Sequence, residues 1–511
     1  MPYNDYIAPV SESVRTAAVR DFSGGFDNRV DEGVHGLARA KTVINFEFSS
    51  GALTDGYGAE EFLGAEAAVT SLWLYRKFDS VLGRDVEAQM YSTAAGAVMY
   101  RVGGAGEFVP LSGVTLGGPP YVTNYRLYGE DVILICDPLG GMHVWNMADP
   151  PYKIDSAPTF TGITMHFERM FATGGAENNT VWFTDDLDPT NWNPASDEGG
   201  FIQMLDGRGH SNRVVSFLNY VYVFRDYGIT RITAYADQSE FAATNLFVSS
   251  GKIYPGSVTD CGAAVMFLAS DGVYKFDGLS TQKTLGAVSP SVLPSPSASG
   301  AYFDGKYYLA LNVDRQEMSG ASGNGNGGSG NGSGNGGGNG GTSGNGGNGN
   351  GNGNGGNGNG NGANGSGNNS VLVYDLKSGA YSFMQGPPVS RLCVLGDALY
   401  AVTADGRAAK IVRSGTLFGV PSVKEFDSGL YDYGTHALKY FRAAVMESNC
   451  PLAVTVYTER RSRTRSLTPK NGVCRVKIGL SGRRFGFRIV CESSSVRIAR
   501  AYIEYTVRGG K

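Results

Sequence analysis

Residues 263–278 read Ala-Ala-Val-Met-Phe-Leu-Ala-Ser-Asp-Gly-Val-Tyr-Lys-Phe-Asp-Gly, and much of the chain repeats their plan. An apolar run, Ala264 to Ala269, meets Ser270-Asp271-Gly272, and a second run, Val273 to Phe276, ends on Asp277-Gly278. Asp-Gly between two β-rich runs signals a hairpin, because the tight turn needs positive φ and glycine supplies it without steric cost. The unit recurs where Gly129-Glu130 leads into Val132–Ile135, and where Leu218-Asn219 leads into Tyr220–Phe224. It recurs again where Asp304-Gly305 leads into Tyr307–Leu311, and Gly396-Asp397 into Ala398–Val402. Repeats of roughly 35–50 residues, each a few strands with glycine turns, are how a β-propeller looks in sequence. One such sheet cannot bury its own apolar face, whereas sheets stacked in a circle bury one another and leave few open edges. Unrelated hairpins gathered into sandwiches are the plainer alternative.

Composition agrees with an all-β chain. Of 511 residues 75 are Gly, 28 Tyr and 25 Phe, and long amphipathic helical stretches are hard to find. The net charge of −4 is unevenly spread: from residue 420 onward there are 17 Lys/Arg against 7 Asp/Glu, a net of +10, leaving −14 for the remainder. An acidic body with a basic tail domain points to an electrostatic partner, another subunit or nucleic acid. The first residues lack the apolar core and cleavage site of a secretory signal, and no run reaches the ~18 apolar residues that cross a bilayer. Cys136, Cys261, Cys393, Cys450, Cys474 and Cys491 are far apart with no CxxC pair. Reduced, buried thiols made in a cytoplasm are the expectation, with a Cys474–Cys491 bridge between adjacent strands as the alternative.

In chain order, residues 1–60 read as an N-terminal arm and leading strands, with a hairpin turn expected at Gly51. Residues 61–419 read as a propeller of about seven blades, at about 67–110, 121–155, 158–206, 213–250, 256–287, from 299, and 389–418. Blade six is interrupted by residues 319–369, almost only Gly, Asn and Ser. Such a segment cannot bury apolar area and is expected to be a disordered insertion at a hairpin tip, passive rather than adhesive. After Gly419 the rhythm changes, and five alternating runs within 420–511 fit a small, basic C-terminal β-sandwich.

Three stretches carry a resemblance. Residues 21–58 contain Phe22-Ser23-Gly24-Gly25 and later Asn45-Phe46-Glu47-Phe48 followed by Gly51-Ala52-Leu53. Residues 169–192 hold Arg169-Met170-Phe171, Gly174, Asn179-Thr180-Val181-Trp182, Asp185, Asp188-Pro189 and Trp192. Both patterns resemble tailed-bacteriophage, or prophage, virion proteins with propeller folds, of the tail-nozzle or head-to-tail connector class. Gly482-Arg483-Arg484-Phe485 and Ile498 through Tyr505 are similar to the terminal β domain of that class. The Gly/Asn tract is not part of its pattern. The resemblance implies a structural component of the virion neck or tail, made in the bacterial host cytoplasm. It would form a homo-oligomeric ring with portal, adaptor or tail proteins and contact passing double-stranded DNA transiently.

No catalytic set emerges, and no cofactor is expected. The five histidines have no ligand spacing, and nucleophile-elbow, P-loop and dinucleotide motifs are absent. The Asp185-Asp186-Leu187-Asp188 run lacks the oxygen spacing of a calcium loop and reads as a turn. In Arg460-Arg461-Ser462-Arg463-Thr464-Arg465, the alternating Arg461, Arg463 and Arg465 project from one face of a strand. Three readings stay open for them: phosphate contacts, an edge kept from aggregating by charge, and docking on an acidic neighbour. Arg483 and Arg484 join the same basic set. Two further functions stand beside the structural one: a receptor- or glycan-binding propeller at a tail tip, marked by exposed aromatic clusters, and a glycan-cleaving propeller, marked by paired channel carboxylates.

Overall fold

The computed structural model describes residues 13–24, 40–174, 178–196, 199–235, 237–284, 291–314 and 367–507. Its described part is nearly all β, and its centre is a seven-bladed propeller of four-stranded antiparallel sheets. Blade one comprises Val69–Asp79, Arg84–Thr93, Ala97–Val102 and Val109–Thr115, and blade two runs from Tyr121–Leu127 to Tyr152–Ile154. Blade three runs from Gly162–His166 to Gly200–Gln203, blade four from Ser211–Phe217 to Ala242–Val248, and blade five from Thr259–Asp260 to Thr281–Thr284. Blade six is Ser299–Phe303, Lys306–Leu311, Ser370–Asp375 and Tyr381–Met384. Blade seven takes Val389–Leu395, Ala398–Thr403 and Ala408–Val412 from late in the chain, and its fourth strand, Gly58–Leu63, from the beginning.

Period-two alternation explains the circle. In the second strand of each blade, neighbouring residues face opposite blades. Ile133 and Ile135 pack on blade one with Trp73 and Tyr75, whereas Leu134 and Cys136 pack on blade three with Met170 and Ala172. The same handover carries Phe171 to Val221 and Val223, Phe224 to Phe267, and Met266 to Tyr307. Tyr308 then packs with Leu399, and Tyr400 with Leu72, which returns to blade one. In the hairpin of residues 263–278, Ala269 pairs with Gly272. The two turn residues are therefore Ser270 and Asp271, and it is Gly272 (φ 145°), opening the second strand, that takes the positive φ.

The N-terminal segment is not a separate leading unit. Arg15–Val19, Phe46–Ser49 and Ala52–Asp55 join Arg497–Val507, Lys439–Ser448 and Val473–Gly482 in one sheet of the sandwich. Thr42–Ile44 joins Lys424–Asp427, Phe485–Cys491, Leu452–Thr458 and Ser462–Leu467 in the other. The reason is apolar burial: Val19, Phe22, Val43, Phe46 and Leu53 share one core with Phe441, Val454, Ile489 and Ile503. Gly51 does turn a hairpin, with Ser50 and Gly51 both at positive φ.

Sandwich and propeller are joined through a continuous sheet. Ile44 pairs in parallel with Phe383 of blade six, and Thr42–Ile44 pairs on its other side with Lys424–Asp427. Asn45, buried and at φ 55°, ties the joint. Its Nδ2 donates to the carbonyls of Gln385 (3.1 Å) and Val423 (2.8 Å), and its Oδ1 accepts from Gln385 N (2.8 Å). Lys424, fully buried, donates to the carbonyls of Ser493 (2.8 Å) and Gly415 (3.2 Å) and lies 3.7 Å from Asp55. Glu47 of the sandwich accepts from Lys306 of blade six and sits 3.4 Å from Arg413 of blade seven.

Most of the Gly/Asn tract lies outside the described residues, but its last residues do not behave as passive loop. Asn368 is fully buried and donates to the carbonyls of Ser297 (2.8 Å) and Val389 (2.9 Å). Asn369 exchanges hydrogen bonds with Val313, at 3.0 and 2.9 Å. The side-chain amides that the tract offers at its end are used to pin the hairpin stem of blade six.

Candidate functional site

The inner strands of the blades wall a central cavity of about 920 Å³. Small hydroxyl residues line much of it, among them Thr70, Ser71, Thr164, Ser216, Ser299 and Ser390. Three inner strands carry a register shift near their start, between Val69 and Ser71, Ser211 and Arg213, and Val389 and Arg391. Bulges of this kind re-aim a side chain. The residue past each shift, Ser71, Arg213 and Arg391, lines the cavity.

Arg391 Nη1 donates to Ser71 Oγ at 3.1 Å. The Arg213 guanidinium lies 5.5 Å from the centre of the Tyr121 ring. Gly162 makes room for it, since a Cβ there would come within 3.1 Å of Arg213 Cα. Burial pushes the Arg213 guanidinium below its ordinary range; Tyr121 opposes the shift and the positive charge of Arg391 adds to it. Asp260 and Asp405 also lie on the wall. Asp260 accepts from Gly262 N (2.8 Å), and Asp405 accepts from the Thr403 hydroxyl and from Arg407 Nε (3.2 Å).

A second cavity, of about 1000 Å³, opens between blades three and four. Phe171, Phe183 and Phe241 wall it, and the exposed rings of Phe167 and Phe201 stand at its rim. His166, 3% exposed, turns Nδ1 to Ser216 Oγ (2.9 Å), while its buried Nε2 has no partner. Burial lowers the His166 pKa, so the ring is neutral near pH 7.

The residues singled out in the 169–192 motif hold blade three together. Arg169 ties its hairpin end, donating to the Thr184 carbonyl (2.8 Å) and pairing with Asp186 (2.9 Å), with Asp185 at 4.0 Å. Gly174 runs so close to Thr159 that a Cβ would fall 1.8 Å from its carbonyl oxygen. The Asn179 carbonyl accepts from Met204 N (2.8 Å). Asp188 caps Thr190 N (3.0 Å) and accepts from Tyr128 of blade two (2.7 Å). Pro189 is buried, and Trp192, also buried, meets Phe160 edge to face at 5.6 Å. These side chains serve packing and turn closure.

The basic residues fall into two groups. Ser462–Leu467 is the edge strand of its sheet. Arg463 and Arg465 pair across to Val456 and Val454, which are buried in the sandwich core. They therefore stand on the core side of the edge, and Arg463 Nη1 reaches the Ile478 carbonyl of the facing sheet at 3.0 Å. Inward-facing charge of this sort guards an open edge against a further strand. Arg460, Arg461, Arg483 and Arg484 gather instead around two neighbouring turns, where Glu459 accepts from Arg484 N at 2.6 Å.

The six cysteines are free and buried. Cys491 lies nearest Cys450, with the sulfurs 3.4 Å apart, rather than Cys474. Hydrogen bonding to Cys450 draws the Cys491 thiol down to about 6, against burial and with help from Ser493 N and Lys424. Among the described residues no group of three or more His, Cys, Asp or Glu side chains is placed to hold a metal. No helix among them is long and apolar enough to cross a membrane. Arg213 and Arg391 were not apparent in sequence. Aligning the first strands of the blades would have found them, because Ser211-Asn212-Arg213-Val214 and Val389-Ser390-Arg391-Leu392 place Arg at the same point.

The chain is thus a seven-bladed β-propeller joined to a β-sandwich that is built from both ends of the sequence. No family model matches it, and no curated protein does. Among solved structures it is similar to the BBS1N domain crystallised with ARL6DN, at 12% identity and TM-score 0.39, covering 69% of this chain and 95% of that one. It is also similar to BamB from Moraxella catarrhalis, at 11% identity and TM-score 0.37, covering 72% and 96%. The computationally designed Ika8 protein matches at 10% identity and TM-score 0.36, covering 69% and 98%.

Proposed function

We propose that this chain is a non-enzymatic structural protein of a phage virion neck or tail, nozzle- or connector-like, forming a ring through which DNA passes. The observation that carries the reading is the joint between the two parts. A basic sandwich is held to an acidic remainder by a continuous sheet, by Asn45 and by buried Lys424. A rigid body with opposite charge on its two parts suits head-to-tail contact between copies, and a contact that closes gives a ring. In this reading Arg460, Arg461, Arg483 and Arg484 make the subunit contact, while Arg463 and Arg465 guard the sandwich edge. The ring would meet portal, adaptor or tail proteins, in particles assembled in the host cytoplasm.

A receptor- or glycan-binding role at the tail tip is the second reading. It is favoured by the aromatic-rimmed cavity at Phe167 and Phe201. Light scattering and negative-stain imaging test the first reading, with the protein alone and mixed with its genomic neighbours. Rings that are lost in the triple variant Arg460→Glu/Arg461→Glu/Arg483→Glu support it. A persistent monomer that binds glycans or cells refutes it in favour of the second.

A further inference from the structure

We infer that the propeller channel holds a small oxyanion of the phosphate class between Arg213 and Arg391. Both guanidinium groups line the one central cavity, and both follow a register shift in an inner strand. The shifts leave Asn212 and Ser390 unpaired, while Arg213 and Arg391 keep the partners Phe224 and Val402. Skipping one residue changes the face on which the next side chain falls, and at both places that residue is an arginine of the channel wall.

Neither cation is neutralised by protein. Among the described residues Arg391 donates to the Ser71 hydroxyl and Arg213 lies against Tyr121 and hydrogen-bonds it, both neutral partners, and neither arginine forms an ion pair. The Arg213 Nε is shut from solvent without a hydrogen-bond partner. The two carboxylates on the wall are engaged elsewhere, Asp260 at its own turn and Asp405 with Thr403 and Arg407. Two like charges sharing a partly desolvated cavity repel, and that repulsion is unfavourable unless a counter-charge enters. Guanidinium forks match tetrahedral and planar oxyanions bidentately, and the surrounding serine and threonine hydroxyls add neutral donors. This assignment is independent of any ring or virion role.

Calorimetric titration of the full chain with inorganic phosphate, at constant ionic strength set by chloride, tests it. Malonate in a parallel arm distinguishes a carboxylate source from a phosphate one. Saturable phosphate binding is expected, at least tenfold weaker in Arg213→Met and in Arg391→Met. Preference for malonate would overturn the phosphate assignment. Binding by either variant as tight as by the parent, or no saturable binding by the parent chain, would overturn the site. Melting in phosphate-free chloride buffer guards against misfolded variants: relief of the repulsion should leave Arg391→Met at least as heat-stable as the parent. If the Met variants do not fold, Arg391→Lys, which keeps the charge but loses the fork, supplies the comparison. Phosphate binding undiminished in it would refute bidentate recognition.

Discussion

Replacing Asn45 with Ala should loosen the joint between propeller and sandwich. The substitution removes three side-chain hydrogen bonds, two to Gln385 and one to the Val423 carbonyl. The Gln385 N–H and C=O lie in a partly buried setting, and each orphaned group costs about 1–3 kcal/mol. Val423 is exposed, so its carbonyl recovers water and adds little. Asn45 also sits at φ 55°, where Asn is tolerated and Ala costs about 1 kcal/mol more. The expected loss is about 3–7 kcal/mol. Asn45→Gly makes the same hydrogen-bond loss without the Cβ strain, so it should be more stable than Asn45→Ala by about 1 kcal/mol. Urea unfolding measures both. The four tryptophans, Trp73, Trp145, Trp182 and Trp192, all lie in blades one to three, so their fluorescence reports the propeller. A loss below about 1 kcal/mol, or a Gly variant less stable than the Ala variant, would refute this account of the joint.

Lys424→Met should cost about 3–5 kcal/mol, because it strips Asp55 of its cation and leaves the buried Gly415 and Ser422 carbonyls short of a donor; the shift in urea midpoint checks it. Asp226 is pushed up by burial but held below the ordinary 3.8, because hydrogen bonds from His210 N and Asn212 and the Lys252 charge outweigh that penalty. Its stabilisation is therefore present above about pH 4 and lost as pH falls through the lower folded value, so the advantage of the parent over Asp226→Asn should shrink only in strong acid, as read from melting temperatures between pH 2 and 7. Replacing residues 315–366 with about eight Gly/Ser residues shortens a loop between directly paired strands, and should raise stability by about 1.5 kcal/mol, as measured by urea unfolding.

The blades were legible in sequence because each carries its own pattern. Val132–Ile135, Tyr220–Phe224 and Tyr307–Leu311 are apolar on both faces, and each is bounded by turn residues that fix it locally. The destination of the first 60 residues was not legible. A strand such as Ala52–Asp55 shows which of its residues are apolar, not which sheet receives them, and its second partner, Arg497–Val507, lies far off in the sequence. The channel arginines were hidden for a similar reason. An Arg within an apolar run reads as a solvated face until the bulge before it is known. Conversely, the Arg-rich strand drew attention in sequence through charge density, while its register against Val454 and Val456 turns it toward the sandwich edge. Charge runs announce themselves, and pairing register does not.

The chain crosses its central joint repeatedly, and this bears on how the molecule would work in an assembly. Its first described strand, Arg15–Val19, lies in the sandwich, and the chain enters the propeller as Gly58–Leu63, which closes the circle against Ala408–Val412. It then returns through Lys424–Asp427 to the sandwich sheet. Neither part can be completed without residues from both ends, so loss of the N-terminal strands would open the last blade and unpack the sandwich core together. A single hinge peptide would let the two parts swing, whereas these crossings and the hydrogen bonds of Asn45 and Lys424 fix their mutual orientation. A contact between the basic sandwich of one copy and the acidic body of the next would then repeat with a set rotation. That constancy is what a closed ring requires of a heterologous interface.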